Sequence, residues 1–227
     1  MSSPSQSIVI AVDGTAASGK GTLAKKLAIH FGFAHLDSGA LYRLAAFSVL
    51  EAKGDPKNET DALKGAQTID FNRAGDPAIR TDIVGKAASE VAAIPAVRQA
   101  LLDFQQDFLA RPPGGSPGAV MDGRDIGTVI CPGATAKLYV DARLDIRARR
   151  RWAELKAMGI RRAEQDVVAE LGARDAADKS RPIAPLKQAP DADLLDTSDL
   201  GIDAAFAAAL ALVSPKVDGA LKDRHRG

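Results

Sequence analysis

The sequence has 227 residues, and its 30 Lys and Arg against 29 Asp and Glu leave a formal net charge of +1 at pH 7. A chain of this length can bury a good core as one α/β domain with insertions, and its balanced charge gives no global attraction to nucleic acid or to a membrane surface. Cys131 is the only cysteine, which excludes an intramolecular disulfide and a cysteine metal cluster.

The first residues give no targeting signal. Residues 1–7 are polar and contain no basic residue, and the apolar run after them is only as long as a strand. This pattern is not that of a secretory signal peptide. No run approaches the roughly 20 apolar residues that a membrane-spanning helix needs. We therefore expect a cytoplasmic protein with no membrane partner.

A glycine-rich segment separates the first predicted strand, residues 8–12, from a helix that begins at Lys20 and stops at Gly32. A loop in this position turns its backbone N–H groups inward, and the helix dipole adds positive potential. The segment therefore predicts a cradle for nucleotide phosphates, with a simple helix-capping turn as the alternative. The cradle comprises Gly14, Thr15, Ala16, Ala17, Ser18, Gly19, Lys20, Gly21 and Thr22.

The residue after the lysine distinguishes this loop from the loop of GTPases. Common phosphate loops have Ser or Thr directly after the lysine, whereas here Gly21 intervenes and the hydroxyl follows at Thr22. Lys20 is expected to supply the mobile positive charge for the outer phosphates. The Gly-Lys-Gly-Thr ending is similar to that of nucleoside-monophosphate kinases.

The middle of the chain interrupts the alternation of strands and helices. Residues 34–37 predict a second strand, and Ser38 is expected to cap a helix that closes near Gly54. Residues 61–85 have a poor pattern and are interpreted as a small insertion. A helical stretch from about residue 84 to residue 109 follows, broken or kinked by Pro95.

Strands and helices alternate again toward the C-terminus. Strands are predicted at residues 119–121, 137–140 and 193–195, and helices at about 144–158 and 202–213, with a mobile charged segment before the last strand. This order implies a parallel sheet wound on both sides, with ligands at the carboxyl ends of its strands. Asp13, Asp37 and Asp122 all lie at such ends.

Four motifs in order over nearly the whole chain resemble those of bacterial cytidylate kinases. They are the Gly-Lys-Gly-Thr loop, Leu36-Asp37-Ser38-Gly39-Ala40-Leu41-Tyr42-Arg43, Asp122-Gly123-Arg124-Asp125-Ile126-Gly127-Thr128-Val129, and Arg174-Asp175 through Arg181 with Ala184-Pro185-Leu186. The resemblance implies the α/β fold of the P-loop nucleoside-monophosphate kinases, a central parallel sheet flanked by helices with a monophosphate-binding insertion and a lid. It implies one domain over residues 1–227, with a core at about 1–37, 110–146 and 190–227, a monophosphate-binding region at about 38–109 and a lid at about 147–189.

The activity that this resemblance implies is ATP-dependent phosphorylation of CMP and dCMP to CDP and dCDP by direct in-line transfer, in pyrimidine nucleotide metabolism. Mg²⁺ is the implied cofactor, held by nucleotide oxygens and water without a direct protein ligand. Phosphoryl transfer needs charge neutralisation and positioning, and an acceptor phosphate is already an anion, so no general base is required. The catalytic residues by resemblance are Lys20, Arg124, Arg150 and Arg181.

Recognition of the acceptor falls, by resemblance, to residues from several motifs. Cytosine presents an amino donor at N4 and acceptors at N3 and O2, so its site must combine an acceptor with hydroxyl or guanidinium donors. Ser38, Ser89, Arg98 and Asp125 match family positions for the base, Arg43, Arg124 and Arg181 match those for the phosphate, and Asp178 matches the ribose position with Arg174 and Arg181 nearby.

Two regions depart from the family pattern. The insertion from about residue 67 to residue 85 is shorter than in many members, and Ala176, Ala177 and Lys179 stand where lid arginines are frequent. A second basic cluster places Arg147, Arg150 and Arg151 on one helix face, which suits a lid closing over the donor phosphates; a solvated face or an RNA-binding patch are the alternatives. None of His30, His35 and His225 lies in a motif.

Two other functions remain open on the sequence. One is a kinase of the same architecture acting on UMP, AMP or shikimate. The other is a nucleotide-dependent switch or RNA-binding regulator, which would hydrolyse ATP slowly and without dependence on an acceptor. We expect a monomer whose partners are small molecules, ATP and CMP or dCMP, and not nucleic acid.

Overall fold

A computed structural model describes residues 7–224 of the chain. The predictions made for residues 1–6 and for His225 therefore lie outside the described residues. Within that range the strands are β1 (Ile8–Gly14), β2 (Ala34–Asp37), β3 (Gly118–Gly123), β4 (Ala136–Asp141) and β5 (Asp193–Asp196). The α-helices are α1 (Lys20–Phe31), α2 (Ser38–Glu51), α3 (Glu59–Gln67), α4 (Asp82–Val91), α5 (Pro95–Ala110), α6 (Leu144–Ala157), α7 (Glu164–Ser180) and α8 (Ile202–Arg224).

The five strands form one sheet in the order β2-β3-β1-β4-β5. β1 runs parallel to β3 and to β4, and β4 runs parallel to β5. Every residue of β1 and β3 is buried, as continuous apolar strands are when helices cover both faces of a parallel sheet. The register pairs Asp13 with Gly123, so the carboxyl ends of β1 and β3 meet at one edge. The predicted α/β class with a parallel sheet is confirmed.

Residues of the sheet and of two helices build the main core. Leu23 and Leu27 of α1, and Ala209 and Val213 of α8, are buried in one cluster with Ile10 and other sheet residues. α8 was predicted to end at residue 213 but continues to Arg224 through Pro215. By length and composition, α8 is apolar enough to cross a membrane, whereas we expected no such segment. One such helix is weak evidence for a membrane span, because a core helix can have the same length and composition.

The chain divides into two compact units. The first, here called the sheet unit, contains the chain up to Leu36 and again from Leu109 onward; the second, here called the helical unit, is Asp37–Phe108. In the helical unit, α2 packs against α3 and α4. The α2–α3 contact is close at Gly65, where an added Cβ would lie 2.6 Å from the carbonyl oxygen of Ala45.

Several local predictions are confirmed. Gly32 ends α1 in the left-handed conformation with φ 66°. The second strand has the predicted bounds, and the predicted break near Pro95 separates α4 from α5. A proline in a helix interior removes a backbone hydrogen bond and kinks or breaks the helix, whereas the first turn tolerates it, so a new helix beginning at Pro95 is favoured.

Other local predictions were wrong. Asp37 rather than Ser38 caps α2, because its side chain accepts a hydrogen bond from the N–H of Ala40. The poorly patterned residues 61–85 contain most of α3 and two 3₁₀ turns, Phe71–Gly75 and Pro77–Arg80. The charged segment before β5 contains helix α7, which the sequence pattern did not predict.

Candidate functional site

The glycine-rich loop between β1 and α1 has the conformation that its sequence predicts. Gly14, with φ 150°, passes so close to β4 that an added Cβ would collide with the carbonyl oxygen of Val140. Gly19, with φ 89°, precedes the first residue of α1 in the left-handed region. Lys20 therefore stands at the N-terminus of a helix, where backbone N–H groups and the helix dipole favour an anion.

Groups outside the loop hold its carbonyl oxygens. Nη1 of Arg147 donates to the carbonyl oxygen of Ala16 at 3.1 Å, and Oγ1 of Thr197 donates to that of Ser18 at 2.9 Å. Inside the loop, Oγ of Ser18 donates to the carbonyl oxygen of Thr15 at 3.0 Å. These hydrogen bonds join the loop to α6 and to the segment after β5.

A buried carboxylate at the end of β1 organises the turn after β3. The two carboxylate oxygens of Asp13 accept hydrogen bonds from the N–H of Ile126 at 2.8 Å and of Gly127 at 2.7 Å. Burial raises the pKa of Asp13 to about 6, and the charge of Asp125 acts in the same direction, against the two backbone hydrogen bonds. Asp13 thus fixes the backbone next to the predicted cytosine ligand Asp125.

Asp122, at the end of β3, lies beside the start of α1. Nε2 of His35 is 2.9 Å from Oδ1 of Asp122, and a Cβ added at Gly21 would lie 3.4 Å from Oδ2. A carboxylate accepts hydrogen bonds, so Nε2 carries the proton in this pair. We did not assign His35 a role from the sequence. The sequence shows only that His35 lies in a predicted strand two residues before Asp37; the structure adds that this strand is adjacent to β3.

Three of the predicted acceptor residues come together in the sheet unit. Asp178 on α7 is 1% exposed and accepts hydrogen bonds from Nε of Arg124, at 2.8 Å, and from Nη2 of Arg181. Burial alone would raise the pKa of Asp178, but the positive charges of Arg124, Arg181 and Arg174 outweigh it and hold the pKa below its ordinary value. The Asp178 carboxylate is thus bound by two guanidinium groups, those of Arg124 and Arg181, which can also bind a phosphate.

The helical unit contains four further acceptor candidates, on α2, α4 and α5, whereas Asp125 and Arg174 lie in the sheet unit. Nη1 of Arg43 donates to the carbonyl oxygen of Ile79 at 3.0 Å, and Oγ of Ser89 donates to that of Gly85 at 3.3 Å. A Cβ at Gly85 would lie 3.3 Å from the Arg43 guanidinium nitrogens, so both side chains lie against Gly85. Arg98 is 9% exposed, with its guanidinium carbon 5.7 Å from the centre of the Tyr42 ring, and Ser38 is buried in the first turn of α2.

The arginines of α6 do not form the single lid-facing set that their spacing suggested. Arg147 is buried under the phosphate loop. Arg150 donates to the carbonyl oxygens of Thr197, at 2.6 Å, and Leu200, at 3.3 Å. Arg151 lies 3.4 Å from Glu154 on its own helix. In the structure, Arg147 and Arg150 therefore bind the backbone of the sheet unit.

A parallel sheet with a glycine-rich loop between its first strand and first helix, and with Arg124 following the neighbouring strand β3, is the arrangement of a P-loop nucleotide-binding protein. A family model for cytidylate kinase matches residues 10–214. The chain therefore belongs to the cytidylate kinase family, as the resemblance of its motifs predicted. It is accordingly an ATP-dependent phosphotransferase with nucleotide substrates.

Curated relatives match almost the whole chain. The cytidylate kinase of Nitrobacter winogradskyi is 50% identical over 206 residues, which cover 91% of this chain and 95% of the relative. That of Rhodospirillum rubrum is 49% identical over 209 residues, which cover 92% and 98%. Among solved structures, an uncharacterized protein from Eubacterium ventriosum has a TM-score of 0.50 at 12% identity, covering 91% of this chain and 98% of that one, a likeness of fold alone.

Proposed function

We propose that the enzyme transfers the terminal phosphoryl group of ATP directly, in line, to CMP and dCMP, giving CDP and dCDP for pyrimidine nucleotide metabolism. The observation that carries this proposal is the pair of anion-binding groups at neighbouring strand ends in the sheet unit. The phosphate loop follows β1, and Arg124 follows β3. Donor and acceptor phosphates both carry negative charge, so positive groups on adjacent strands suit the transfer of a phosphoryl group between them.

On the donor side, the loop Gly14 to Thr22 binds the ATP phosphates through backbone N–H groups and the Lys20 ammonium. Lys20 Nζ lies 3.5 Å from the carbonyl oxygen of Thr15, within the loop. Arg150 is assigned to the transfer step as a predicted catalytic residue, together with Lys20. To act in phosphoryl transfer, Arg150 must give up its hydrogen bonds to the carbonyl oxygens of Thr197 and Leu200 and bind phosphate oxygens instead.

On the acceptor side, the proposal assigns roles by unit. In the sheet unit, Arg124 and Arg181 bind the phosphate, Asp178 and Arg174 the ribose, and Asp125 the base. In the helical unit, Arg43 binds the phosphate, and Ser38, Ser89 and Arg98 bind the base. Uracil reverses the donors and acceptors at positions 3 and 4, so a site built for cytosine leaves buried polar groups unpaired with UMP.

The residues at the start of α1 fit a magnesium ion bound with the nucleotide. Among residues 7–224, no group of three or more His, Cys, Asp or Glu side chains is placed to hold a metal. The Thr22 hydroxyl and the Asp122 carboxylate are oxygen donors of the kind that Mg²⁺ accepts, mostly through water. When bound, the ion would neutralise phosphate charge, while His35 keeps Oδ1 of Asp122 occupied.

The regional assignment also remains a proposal. The helical unit, Asp37–Phe108, spans nearly the residues expected to form the monophosphate-binding region. Residues 147–189, expected to form the lid, include α7 with Asp178 and part of α6. We also propose that the enzyme is a cytoplasmic monomer without nucleic-acid or membrane partners; sedimentation of the purified protein over a range of concentrations tests the monomer.

The decisive experiment measures ADP formation from ATP and Mg²⁺ with CMP, dCMP, UMP, AMP or shikimate supplied separately. We expect strong turnover with CMP and dCMP and little with UMP. Comparable turnover with UMP would overturn the assignment of Ser38, Ser89, Arg98 and Asp125 to cytosine. Hydrolysis without any stimulation by an acceptor would instead favour a nucleotide-dependent switch.

A further inference from the structure

Arg147 lies outside the roles assigned so far. We propose that it is a positioning residue that holds the phosphate loop in its nucleotide-binding conformation. The inference rests on the proposed binding of the ATP phosphates in that loop. It replaces the expectation that Arg147 closes over the donor from a lid.

The contacts of Arg147 fix its guanidinium in three directions. The residue is 5% exposed. Nε donates to the carbonyl oxygen of Ala142 at 2.7 Å, Nη1 donates to that of Ala16 at 3.1 Å, and Nη2 lies 2.7 Å from Oδ2 of Asp175. A planar guanidinium can satisfy these partners at once, whereas an ammonium is a single point charge without a fixed fork.

The residue that follows Ala16 has an unusual backbone conformation. Ala17 has φ 59°, in the left-handed region that residues with a Cβ rarely adopt. Such a conformation persists where the surrounding structure holds it. The hydrogen bond from Arg147 to the carbonyl oxygen of Ala16 acts on the peptide bond that ends at Ala17, so it is placed to supply that support.

The same hydrogen bond sets the direction of a phosphate-binding donor. In a trans peptide the C=O and the following N–H point in opposite directions. Because Arg147 holds the carbonyl oxygen of Ala16, the N–H of Ala17 points away from Arg147 and is not used by this contact. Thr197 acts in the same way on Ser18 and thereby on the N–H of Gly19.

The variant that tests this role must not leave a buried charge alone. Removing Arg147 by itself would expose the enzyme to unfolding, because the carboxylate of Asp175 is only 10% exposed and would lose its partner. We therefore combine Arg147→Met with Asp175→Asn, which removes both charges. Arg147→Lys is the conservative variant, since it keeps the charge beside Asp175 but not the fork.

The measurement is calorimetric binding of ATP and of inorganic tripolyphosphate, together with the KM values for ATP and CMP. In the double variant we expect both binding constants to weaken at least about tenfold, and the KM for CMP to change less than about twofold. Arg147→Lys is expected to weaken ATP binding by a smaller factor. Equal losses for ATP and CMP, or unchanged tripolyphosphate binding, would overturn the inference.

Ala17→Gly separates positioning of the loop from a general packing role. Glycine adopts φ 59° without support, so adding Ala17→Gly to the double variant should restore part of the ATP affinity. Absence of this rescue would contradict the role. Arg143→Ala, which removes an exposed pair with Asp199 directly before α6, is the matched control and should leave binding unchanged.

Lys20→Ala distinguishes failure of the inference from failure of its premise. If this change leaves tripolyphosphate binding intact, the phosphates do not bind in the loop, and both the proposed donor site and the role of Arg147 are wrong. If Lys20→Ala weakens binding and the Arg147 variants do not, the donor site stands and the positioning role alone is overturned.

Discussion

At the scale of single residues, the clearest feature is the carboxylate of Asp178 between two arginines. Arg124 and Arg181 both bind it, although each is also proposed to bind the acceptor phosphate. Asp178 therefore orients these arginines and contributes a proposed ribose contact. Loss of this carboxylate is expected to weaken binding of the acceptor CMP far more than binding of the donor ATP.

We predict that Asp178→Asn raises the KM for CMP at least about tenfold and changes the KM for ATP less than about twofold, since charge-assisted hydrogen bonds are the strong ones. Steady-state kinetics with each substrate varied in turn checks this. Asp203→Asn, which removes a carboxylate in an exposed pair with Lys26, is the control. A parallel rise in both KM values would contradict the assignment.

Asp13 leads to a prediction about pH. Its pKa is about 6 in the folded protein, against an ordinary value of 3.8, so the folded state binds this proton more tightly. The stabilisation from this group is present below pH 3.8 and is lost as pH rises through 6. The free energy of unfolding of the wild type, minus that of Asp13→Asn, should therefore fall by up to about 3 kcal/mol from pH 4 to pH 7. Denaturant unfolding of both proteins across this range checks it, and a difference independent of pH would refute it.

At the scale of elements, the helices that the sequence did not reveal share a physical cause. The buried positions of α3 are Ala62, Gly65 and Ala66, which are too small to give an apolar period. The buried stripe of α7 begins with Val167 and Leu171 but continues with Asp175 and Asp178, so half of it looks solvated in the sequence. Strands β1 and β3, with continuous apolar runs, carried a much clearer signal.

The close α2–α3 contact makes Gly65 a site of overpacking. In Gly65→Ala the new Cβ would lie 2.5 Å from Cγ2 of Val49 and 2.6 Å from the carbonyl oxygen of Ala45. We expect a loss of about 1–3 kcal/mol in the free energy of unfolding. Gly219→Ala in α8, where a Cβ meets nothing within 4 Å, is the matched control and should stabilise by up to about 1 kcal/mol. Chemical denaturation measures the free energy of unfolding of both variants. Equal changes in the two variants would contradict the packing argument.

At the scale of the whole molecule, the sequence alone was enough to predict the parallel sheet, the glycine-rich loop between β1 and α1, and the family. These features depend on continuous apolar runs within single strands and on short sequence motifs with fixed spacing. The site residues assigned by motif remain predictions, and His35 and Arg147 show what motifs do not reveal. Each is bonded to a group far away in the chain, Asp122 and Ala16, and such contacts leave no pattern around the residue itself.

The packing of α8 also belongs to this scale. Its residues Ala205, Ala209, Val213 and Val217 are buried in the core, which leaves its apolar side occupied in the folded protein. We predict that the folded enzyme does not float with vesicles of neutral or anionic phospholipid, despite the length of this helix. Vesicle flotation checks this, with heat-unfolded protein as the control. Flotation of the folded, active enzyme would show that α8 leaves the core.

The hydrogen bonds that shape the phosphate loop also have a consequence for synthesis of the chain. They join positions 131 and 179 residues apart, from Arg147 to Ala16 and from Thr197 to Ser18. Contacts of such high sequence separation form late, after the intervening chain has been made and closed into place. A nascent chain that stops before Thr197 lacks part of the support of the loop, although the loop itself is made 179 residues earlier. Full competence to bind ATP is therefore expected only after Thr197 has been added to the chain.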